Sequence, residues 1–206
     1  ALEKAVGARP LWLAASTHPG EEEIAGRVHG RVMADHPGLL TVIAPRHPDR
    51  GPEIAAALRA MGHAVSLRSA GQAIRPETDI YVADTLGEMG LFYRLAGIVV
   101  VGKSLASHGG QNPLEAARLD CALILGPHMA NFEDIARGLS NGGAARVVRG
   151  EAELAAAVKH LLGDEGERKR VADAALALAT VEAGVLDSVM AELAPFLSGN
   201  QDHAGA

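Results

Sequence analysis

The sequence predicts an α/β fold built on a mainly parallel, doubly wound sheet. Short apolar runs typical of buried strands alternate along the chain with stretches whose apolar residues recur at helical spacing. The apolar runs end in glycine, proline or polar residues, as buried strands do before a crossover connection. Right-handed βαβ units follow from this alternation, and they bring the loops after the strands to one edge of the sheet.

The composition narrows the class of protein. The chain has 206 residues, enough for one large domain or two small ones with a buried core. A formal net charge of −6 and an aromatic content of 3% argue against a nucleic-acid-binding protein. No apolar run approaches the roughly 18 residues of a membrane span, and the first residues do not resemble a signal peptide. We therefore expect a soluble chain, and its abrupt start suggests a fragment of a longer protein.

The predicted strands and helices alternate from Leu11 to Leu162, and an alanine-rich helical tract follows from Glu165 to Phe196. We divide the chain into a ligand-binding domain at 1–163, a helical tail at 164–198 and a disordered end at 199–206. The predicted strands are Leu11–Ala15, Leu39–Ala44, His63–Arg68, Asp79–Ala83, Ile98–Val101, Ala122–Leu125 and Ala144–Val148.

Small polar residues follow the first predicted strand. Ser16, Thr17 and His18 precede Pro19-Gly20 and an acidic stretch, which is typical of the start of a helix. They also lie at the carboxyl end of a strand, where they could donate hydrogen bonds to an anion or a sugar. The sequence leaves both interpretations open.

A cation stands between two prolines at the end of the second strand. Pro45 and Pro48 restrict Arg46 and His47 to an extended turn. A rigidly held guanidinium at a strand end is well suited to bind phosphate. The alternative is a solvated arginine, but the ordering of this cation favours a functional role.

The loop after Ala83 places a helix-capping candidate and a glycine at another strand end. Asp84 is a candidate N-cap, and the backbone N–H groups of Leu86 and Gly87 could hold a phosphate. The chain contains no HExxH motif and no early GxGxxG motif. Its nine histidines are scattered, so we predict no metal site.

The stretch from Val99 to Asn131 combines a buried strand with a glycine-bearing loop and a helix start. Gly109 and Gly110 allow the backbone to approach a ligand and to direct N–H groups at an anion. Asn112 is predicted as an N-cap, with Pro113 at the first helical position. Glu115 either stabilises the helix dipole or accepts hydrogen bonds from two sugar hydroxyls.

Five motifs carry a resemblance to a known family. They are WLAASTHPGEEE from Trp12, PRHPDR from Pro45, ADTLGEMGLFYRLA from Ala83, GGQNPLEAA from Gly109 and GPHMANFEDI from Gly126. In this order and spacing the chain resembles the C-terminal half of the 3-deoxy-D-manno-octulosonic acid (Kdo) transferases of lipopolysaccharide synthesis, which are GT-B glycosyltransferases. The resemblance implies a Rossmann-like domain that binds the donor CMP-Kdo, followed by a long C-terminal helix that crosses back toward the first domain.

The resemblance also implies the rest of the enzyme. Kdo would pass to a lipid A precursor at the cytoplasmic face of the bacterial inner membrane, with no cofactor and no metal bound by the protein. The acceptor site and the catalytic base would belong to an N-terminal domain, so we expect no catalytic residue in this chain. The chain alone would bind CMP-Kdo or CMP without transferring Kdo.

By the same resemblance, Arg46 meets the CMP phosphate, while Asn112 and Glu115 meet phosphate and ribose. This sequence departs from the family where Lys103 replaces a common second glycine, where Gln111 replaces a histidine, and where Asp120-Cys121 replaces a proline-bearing segment. The complete set of expected donor-binding residues is Ser16, Thr17, His18, Arg46, Thr85, Leu86, Gly87, Glu88, Met89, Lys103, Ser104, Gly109, Gly110, Gln111, Asn112 and Glu115.

Two other functions stay open at this point. One is a different GT-B enzyme that acts on a UDP-sugar, either a transferase or a 2-epimerase. The other is a nucleotide-binding module without catalysis. The single cysteine, Cys121, is interpreted as a small buried hydrophobic residue and not as a catalytic thiol.

Overall fold

One parallel sheet organises the chain. The computed structural model describes residues 2–106 and 109–198. Its seven strands follow the order β3-β4-β2-β1-β5-β6-β7, which confirms the predicted doubly wound α/β fold. The strands are β1 Leu11–Thr17, β2 Leu40–Pro45, β3 Val65–Leu67, β4 Ile80–Val82, β5 Ile98–Val101, β6 Ala122–Leu125 and β7 Ala145–Val147.

Helices fill the connections between the strands. Two short 3-10 helices, Pro48–Arg50 and Ala130–Phe132, precede α3 and α6. The edge strands β3 and β7 are shorter than predicted, whereas β1 continues through the predicted loop residues Ser16 and Thr17. The helices are α1 Leu2–Val6, α2 Glu21–Val32, α3 Gly51–Ala60, α4 Met89–Ala96, α5 Leu114–Arg118, α6 Glu133–Asn141, α7 Glu151–Gly163 and α8 Glu165–Ser198.

The two faces of the sheet bury separate apolar clusters. Alternation along β1 sends Leu11 and Leu13 to one face and Trp12 and Ala14 to the other. Residues of α4, α5, α6 and α8 pack on the first face, while α2, α3 and α7 supply most of the cover on the second. Helices therefore cover both faces of the sheet, and the ends of the strands are left for a binding site.

The strand order changes direction at β1. The chain moves from β1 to β2 on one side and returns later to place β5 on the other, so that Leu13 pairs with both Val42 and Val99. Ligands of open α/β sheets bind in the crevice at the carboxyl ends of strands at such a switch point. The ends of β1 and β5 are therefore the first place to look for a site.

The C-terminal helix is part of the folded unit. Helix α8 packs against α5, α6, α7 and β6 and buries Val171, Ala175 and Ala179. The predicted disordered end, 199–206, lies outside the described residues, and the predicted domain boundaries stay predictions. Among the residues that the structure describes, no helix has the length and apolarity needed to cross a bilayer.

Candidate ligand-binding site

The ends of β1 and β5 touch at Gly102. A Cβ on Gly102 would lie only 2.2 Å from the carbonyl oxygen of Ser16, so only glycine fits there. Ser16 forms the irregularity in the pairing of β1 with β2, and its φ is +54°. Lys103 follows Gly102 with a φ of +57°, a left-handed conformation that favours glycine. Backbone strain of this kind concentrates at functional sites.

A carboxylate of the protein fills the loop after β5. Glu21, which is buried in the first turn of α2, accepts a hydrogen bond from the Lys103 N–H at 2.7 Å. It accepts three more from the N–H groups of His18, Ser104 and Leu105, each at 3.0 Å. Converging backbone N–H groups form an anion site, and in this structure Glu21 supplies the anion.

The hydroxyl of Thr17 also has a partner within the protein. It donates to Glu22 Oε1 at 2.9 Å, and the Arg50 guanidinium donates to the same oxygen at 2.8 Å. Glu22 is buried, so this pairing fixes the start of α2 against the turn after β2. A ligand role for Thr17 stays a prediction, and it would require the hydroxyl to exchange this partner.

Ser104 links the ends of β5 and β6. Its hydroxyl donates to the carbonyl oxygen of Val101 and accepts a hydrogen bond from the Gly126 N–H at 2.9 Å. A Cβ on Gly126 would meet the Ser104 carbonyl oxygen at 2.0 Å. The predicted contact of Ser104 with a ligand therefore falls on a fully buried residue whose hydroxyl is already bonded.

The paired glycines serve close packing. The Gly110 N–H donates to the Lys103 carbonyl oxygen at 2.8 Å, and the Gln111 N–H donates to the Gly102 carbonyl oxygen at 3.1 Å. A Cβ on Gly110 would lie 2.5 Å from Met129 Sδ. The loop therefore uses these two N–H groups to hold itself against the end of β5.

Four polar side chains gather above the crevice. The Gln111 amide donates to His18 Nε2 at 3.0 Å, and the His18 ring lies 5.9 Å from the ring of His47. Burial lowers the pKa of His18; Glu21 opposes this shift, and Lys103 adds to it. A neutral His18 is an acceptor that matches the Gln111 donor. The Lys103 ammonium makes no hydrogen bond or ion pair with the described residues.

Arg46 is the open cation of this edge. Its N–H donates to the Thr17 carbonyl oxygen at 3.0 Å, which fixes its backbone beside the end of β1. Pro45 ends β2 and Pro48 begins a 3-10 helix, so the predicted turn between prolines is confirmed. The guanidinium is exposed and makes no hydrogen bond or ion pair with the part of the chain that the structure describes.

In the loop after β4, Glu88 is held by side-chain contacts, whereas Leu86 and Gly87 are accessible. Arg68 forms an ion pair with Glu88, and the Thr85 hydroxyl donates to the same carboxylate. These hydrogen bonds, the one from Arg68 first, lower the pKa of Glu88 to about 2. Leu86 is 83% exposed, and a Cβ added to Gly87 would meet no other atom within 4 Å. Of the residues predicted to contact the nucleotide, Thr85 and Glu88 therefore take part in structural hydrogen bonds, whereas Leu86 and Gly87 are open to a ligand.

Two cavities lie beside these groups. One, of about 420 Å³, opens next to Gly109 at the ends of β6 and β7. The other, of about 530 Å³, is lined by Thr85, Glu88 and Arg68. The first has a volume suited to a small-molecule ligand, and it contains residues that the sequence singled out only through the GPHMANFEDI motif. These residues are Gly126, Pro127, His128, Met129, Ala130 and Glu133.

The N-caps predicted at Asp84 and Asn112 are wrong. The carboxylate of Asp84 accepts hydrogen bonds from the Ser69 N–H at 2.8 Å and from the Ser69 hydroxyl at 2.5 Å, and α4 begins later, at Met89. Pro113 stands at the N-cap position and not at the first helical position. Asp84 is therefore used to hold the loop after β3 and not to cap α4.

Asn112 and Glu115 lie at the start of α5. Asn112 Oδ1 accepts a hydrogen bond from the Leu114 N–H at 3.0 Å, so it satisfies a first-turn amide from one position before the N-cap. Glu115 is exposed in the first turn of a five-residue helix. Both interpretations of Glu115, helix stabilisation and sugar binding, remain open.

Cys121 takes no part in this edge. It is fully buried, burial raises its pKa to about 12, and its thiol donates to the Tyr93 carbonyl oxygen at 3.3 Å. A thiol of this pKa is not a nucleophile near neutral pH. The interpretation as a small buried hydrophobic residue is therefore confirmed.

Comparison with known proteins gives the family. No protein-family model matches the chain. The chain is 35% identical over 193 residues to the 3-deoxy-D-manno-octulosonic acid transferase of Haemophilus influenzae, which covers 93% of this chain and 45% of that protein. It is 39% identical over 158 residues to the "Probable 3-deoxy-D-manno-octulosonic acid transferase, mitochondrial" of Arabidopsis thaliana, covering 75% and 35%. The chain thus spans less than half the length of these curated relatives.

A solved structure matches most of this chain. The crystal structure of the C-terminal CMP-Kdo binding domain of WaaA from Acinetobacter baumannii superposes with a TM-score of 0.81 at 26% identity. The match covers 86% of this chain and 93% of that one. The chain therefore belongs to the Kdo transferase family of GT-B glycosyltransferases, and it corresponds to the family's C-terminal domain.

Proposed function

We propose that this chain binds CMP-Kdo as the donor-binding domain of a Kdo transferase. The observation that carries the proposal is the relationship to Kdo transferases over 93% of the chain. It is supported by the structural match to a domain whose name specifies CMP-Kdo as its ligand. The strained contact between β1 and β5 at Gly102 lies at the switch point, where this fold binds ligands.

Side-chain cations, more than loop amides, hold the anionic donor. CMP-Kdo carries a phosphate and a sugar carboxylate, and Glu21 already binds three N–H groups after β5 and one after β1. Arg46 then binds the phosphate, because its guanidinium is exposed beside the switch point and its backbone is fixed. Lys103 supplies a second positive charge on the β5 side of the crevice.

Loop backbone and sugar contacts complete the site. The Thr85–Met89 loop lines the nucleotide, with Gly87 allowing close approach and Leu86 exposed for contact with the base. Asn112 meets phosphate, and Glu115 accepts hydrogen bonds from the ribose hydroxyls. His18 and Gln111 face the cleft between the two domains of the full enzyme.

The whole protein transfers Kdo to a lipid A precursor. An acceptor hydroxyl attacks the anomeric carbon of Kdo, the bond to the phosphate breaks with inversion, and CMP leaves with the bonding electrons. Arg46 stabilises the charge that develops on the departing phosphate. A carboxylate on the acceptor domain takes the proton of the hydroxyl. The reaction takes place at the cytoplasmic face of the inner membrane, and this chain alone does not transfer.

A thermal-shift comparison of CMP with UDP tests the proposal. At a CMP concentration of about 100 times Kd, we expect the melting temperature of the chain to rise by roughly 5 °C or more. UDP at the same concentration should produce a clearly smaller rise. An equal or larger shift with UDP would contradict a cytidine donor and favour a UDP-sugar enzyme.

A further inference from the structure

Three potential metal ligands meet at the amino edge of the sheet, away from the donor site. His29 comes from α2, His63 from the connection between α3 and β3, and Asp79 from the residue before β4. Their ligand atoms all lie within 4.8 Å of one another. We propose that His29, His63 and Asp79 bind one divalent transition-metal ion, such as Zn²⁺.

The strongest observation is the buried nitrogen of His29. The side chain is fully buried, and Nε2 has no hydrogen-bond partner among the described residues. It faces Asp79 Oδ1 at 3.8 Å, beyond hydrogen-bonding distance. An unsatisfied buried nitrogen is costly. A cation held between this nitrogen and the carboxylate oxygen would satisfy both atoms.

The outer contacts already orient two of the ligands. His29 Nδ1 lies 2.9 Å from Thr41 Oγ1, which fixes the ring with Nε2 toward Asp79. Asp79 Oδ2 accepts a hydrogen bond from the Ala64 N–H at 2.8 Å and leaves Oδ1 available. Metal-binding histidines and carboxylates are commonly held through their second polar atom in this way.

His63 packs against α2 beside Gly26 and Gly30. A Cβ on Gly26 would lie 3.4 Å from His63 Nε2, and one on Gly30 would lie 4.0 Å from its Cε1. The His63 ring therefore sits against the helix, with its centre 5.3 Å from the His29 ring and its plane at 82°. His63 and Asp79 are only half-buried, so water can reach a fourth position on the ion.

The donor set selects the class of metal. Two imidazoles and one carboxylate suit Zn²⁺ and its neighbours Co²⁺, Ni²⁺ and Cu²⁺ better than Mg²⁺ or Ca²⁺. Ligand distances of about 2.1 Å place tetrahedral ligand atoms about 3.4 Å apart, so the pair at 3.8 Å needs only a small shift. The nearby charge of Arg9 opposes the ion, but its guanidinium donates to backbone carbonyl oxygens that offset part of the repulsion.

The site would act as a clip. It joins α2 to the start of β4 and to the connection before β3, at the end of the sheet opposite the donor crevice. The bound ion would therefore stabilise the fold without entering the donor site. Local sequence spacing gives no sign of it, because the three ligands come from separate elements and meet only in the folded sheet.

Metal titration of the chelator-treated chain tests the proposal. We expect calorimetry to show one Zn²⁺ per chain, and Co²⁺ to give the visible absorption of a tetrahedral site. His63→Ala and Asp79→Asn should each weaken Zn²⁺ binding at least tenfold. His160→Ala is the matched control, because His160 is exposed on α7, and it should leave the affinity unchanged.

Folding is checked separately from metal binding. His29 is left intact since its burial makes substitution disruptive, and circular dichroism without metal verifies that the two variants fold. Zn²⁺ affinities within twofold of the unsubstituted chain for both variants would overturn the proposal, as would the absence of any tetrahedral Co²⁺ spectrum. CMP binding measured on the same samples should be unchanged, so the donor proposal and the metal proposal fail independently.

Discussion

The loops after β5 and β4 contain similar types of residue, but they differ in how accessible they are to a ligand. Each follows a buried strand, and each carries a glycine among polar residues. After β5, Glu21 binds the N–H groups of Lys103, Ser104 and Leu105. After β4, Leu86 is 83% exposed, and a Cβ built on Gly87 meets nothing. A glycine-bearing loop can therefore hold a phosphate only where no carboxylate of the chain itself already binds its N–H groups.

Removal of Glu21 should have the largest effect on this comparison. Glu21→Ala leaves four N–H groups without their acceptor at a buried position. We expect a loss of about 3 kcal/mol or more in the free energy of unfolding. Chemical denaturation measures it, and Glu53→Ala, which removes an exposed first-turn acid of α3, should cost less than about 1 kcal/mol. Equal losses would show that Glu21 acts only on the helix dipole.

The two glycines of these loops should respond differently to a methyl group. Gly102→Ala drives a Cβ to 2.2 Å from the Ser16 carbonyl oxygen, and the crowded backbone should cost about 3 kcal/mol of stability. Gly87→Ala meets open space, and its cost of about 1 kcal/mol comes from a φ of +80°. Denaturant midpoints compare them, and a Gly87 variant as unstable as the Gly102 variant would contradict the open loop.

Lys103→Gly should separate backbone strain from charge. The position has a φ of +57°, so glycine relieves roughly 1 kcal/mol of strain and raises stability. The same change removes a cation beside the crevice, so we expect CMP affinity to fall several-fold. Thermal unfolding and CMP titration read the two effects separately. A rise in CMP affinity would mean that Lys103 blocks the approach of the donor.

Loss of the ion pair between Arg68 and Glu88 should have the smallest effect on stability, and the effect should disappear at acidic pH. The Arg68 guanidinium lowers the pKa of Glu88 from 4.5 to about 2, so the pair contributes stability above pH 4.5 that is lost as the pH falls toward 2. Glu88→Gln should therefore destabilise the chain slightly at pH 7, by less than about 1 kcal/mol because the pair is partly exposed, and hardly at all at pH 2. Denaturation at both pH values checks this. A difference that grows at low pH would contradict the assignment.

The sequence identifies the sheet and the edge of the site. The inner strands are largely apolar and buried, and the predicted runs match all seven strands of the sheet, so the residues that follow the strands share one edge. The ends of short edge strands were less predictable: His63 and Arg68 lie outside β3 because its pairing with β4 covers only three residues. Arg46 was also recognisable, since two prolines define its turn.

The availability of each polar group could not be predicted. Glu21 and Glu22 look like ordinary first-turn acids, and their local sequence contains nothing about partners. Glu21 meets Lys103 only because β1 and β5 are neighbours in the folded sheet. The cluster of His29, His63 and Asp79 could not be predicted from the sequence for the same reason. Long-range pairing, and not residue type, decides which groups remain open to a ligand.

Calorimetric titration of CMP into the chain and its Arg46→Ala variant shows whether a cytidine nucleotide binds at the carboxyl edge of the sheet. The proposed phosphate ligand is the Arg46 guanidinium, which has no partner within the described residues. Arg75→Ala serves as the control, because Arg75 is an exposed arginine that follows β3 and precedes β4. We expect CMP binding to weaken about tenfold or more in Arg46→Ala and to be unchanged in Arg75→Ala. Equal affinities in all three proteins, or no CMP binding by the unsubstituted chain, would contradict it.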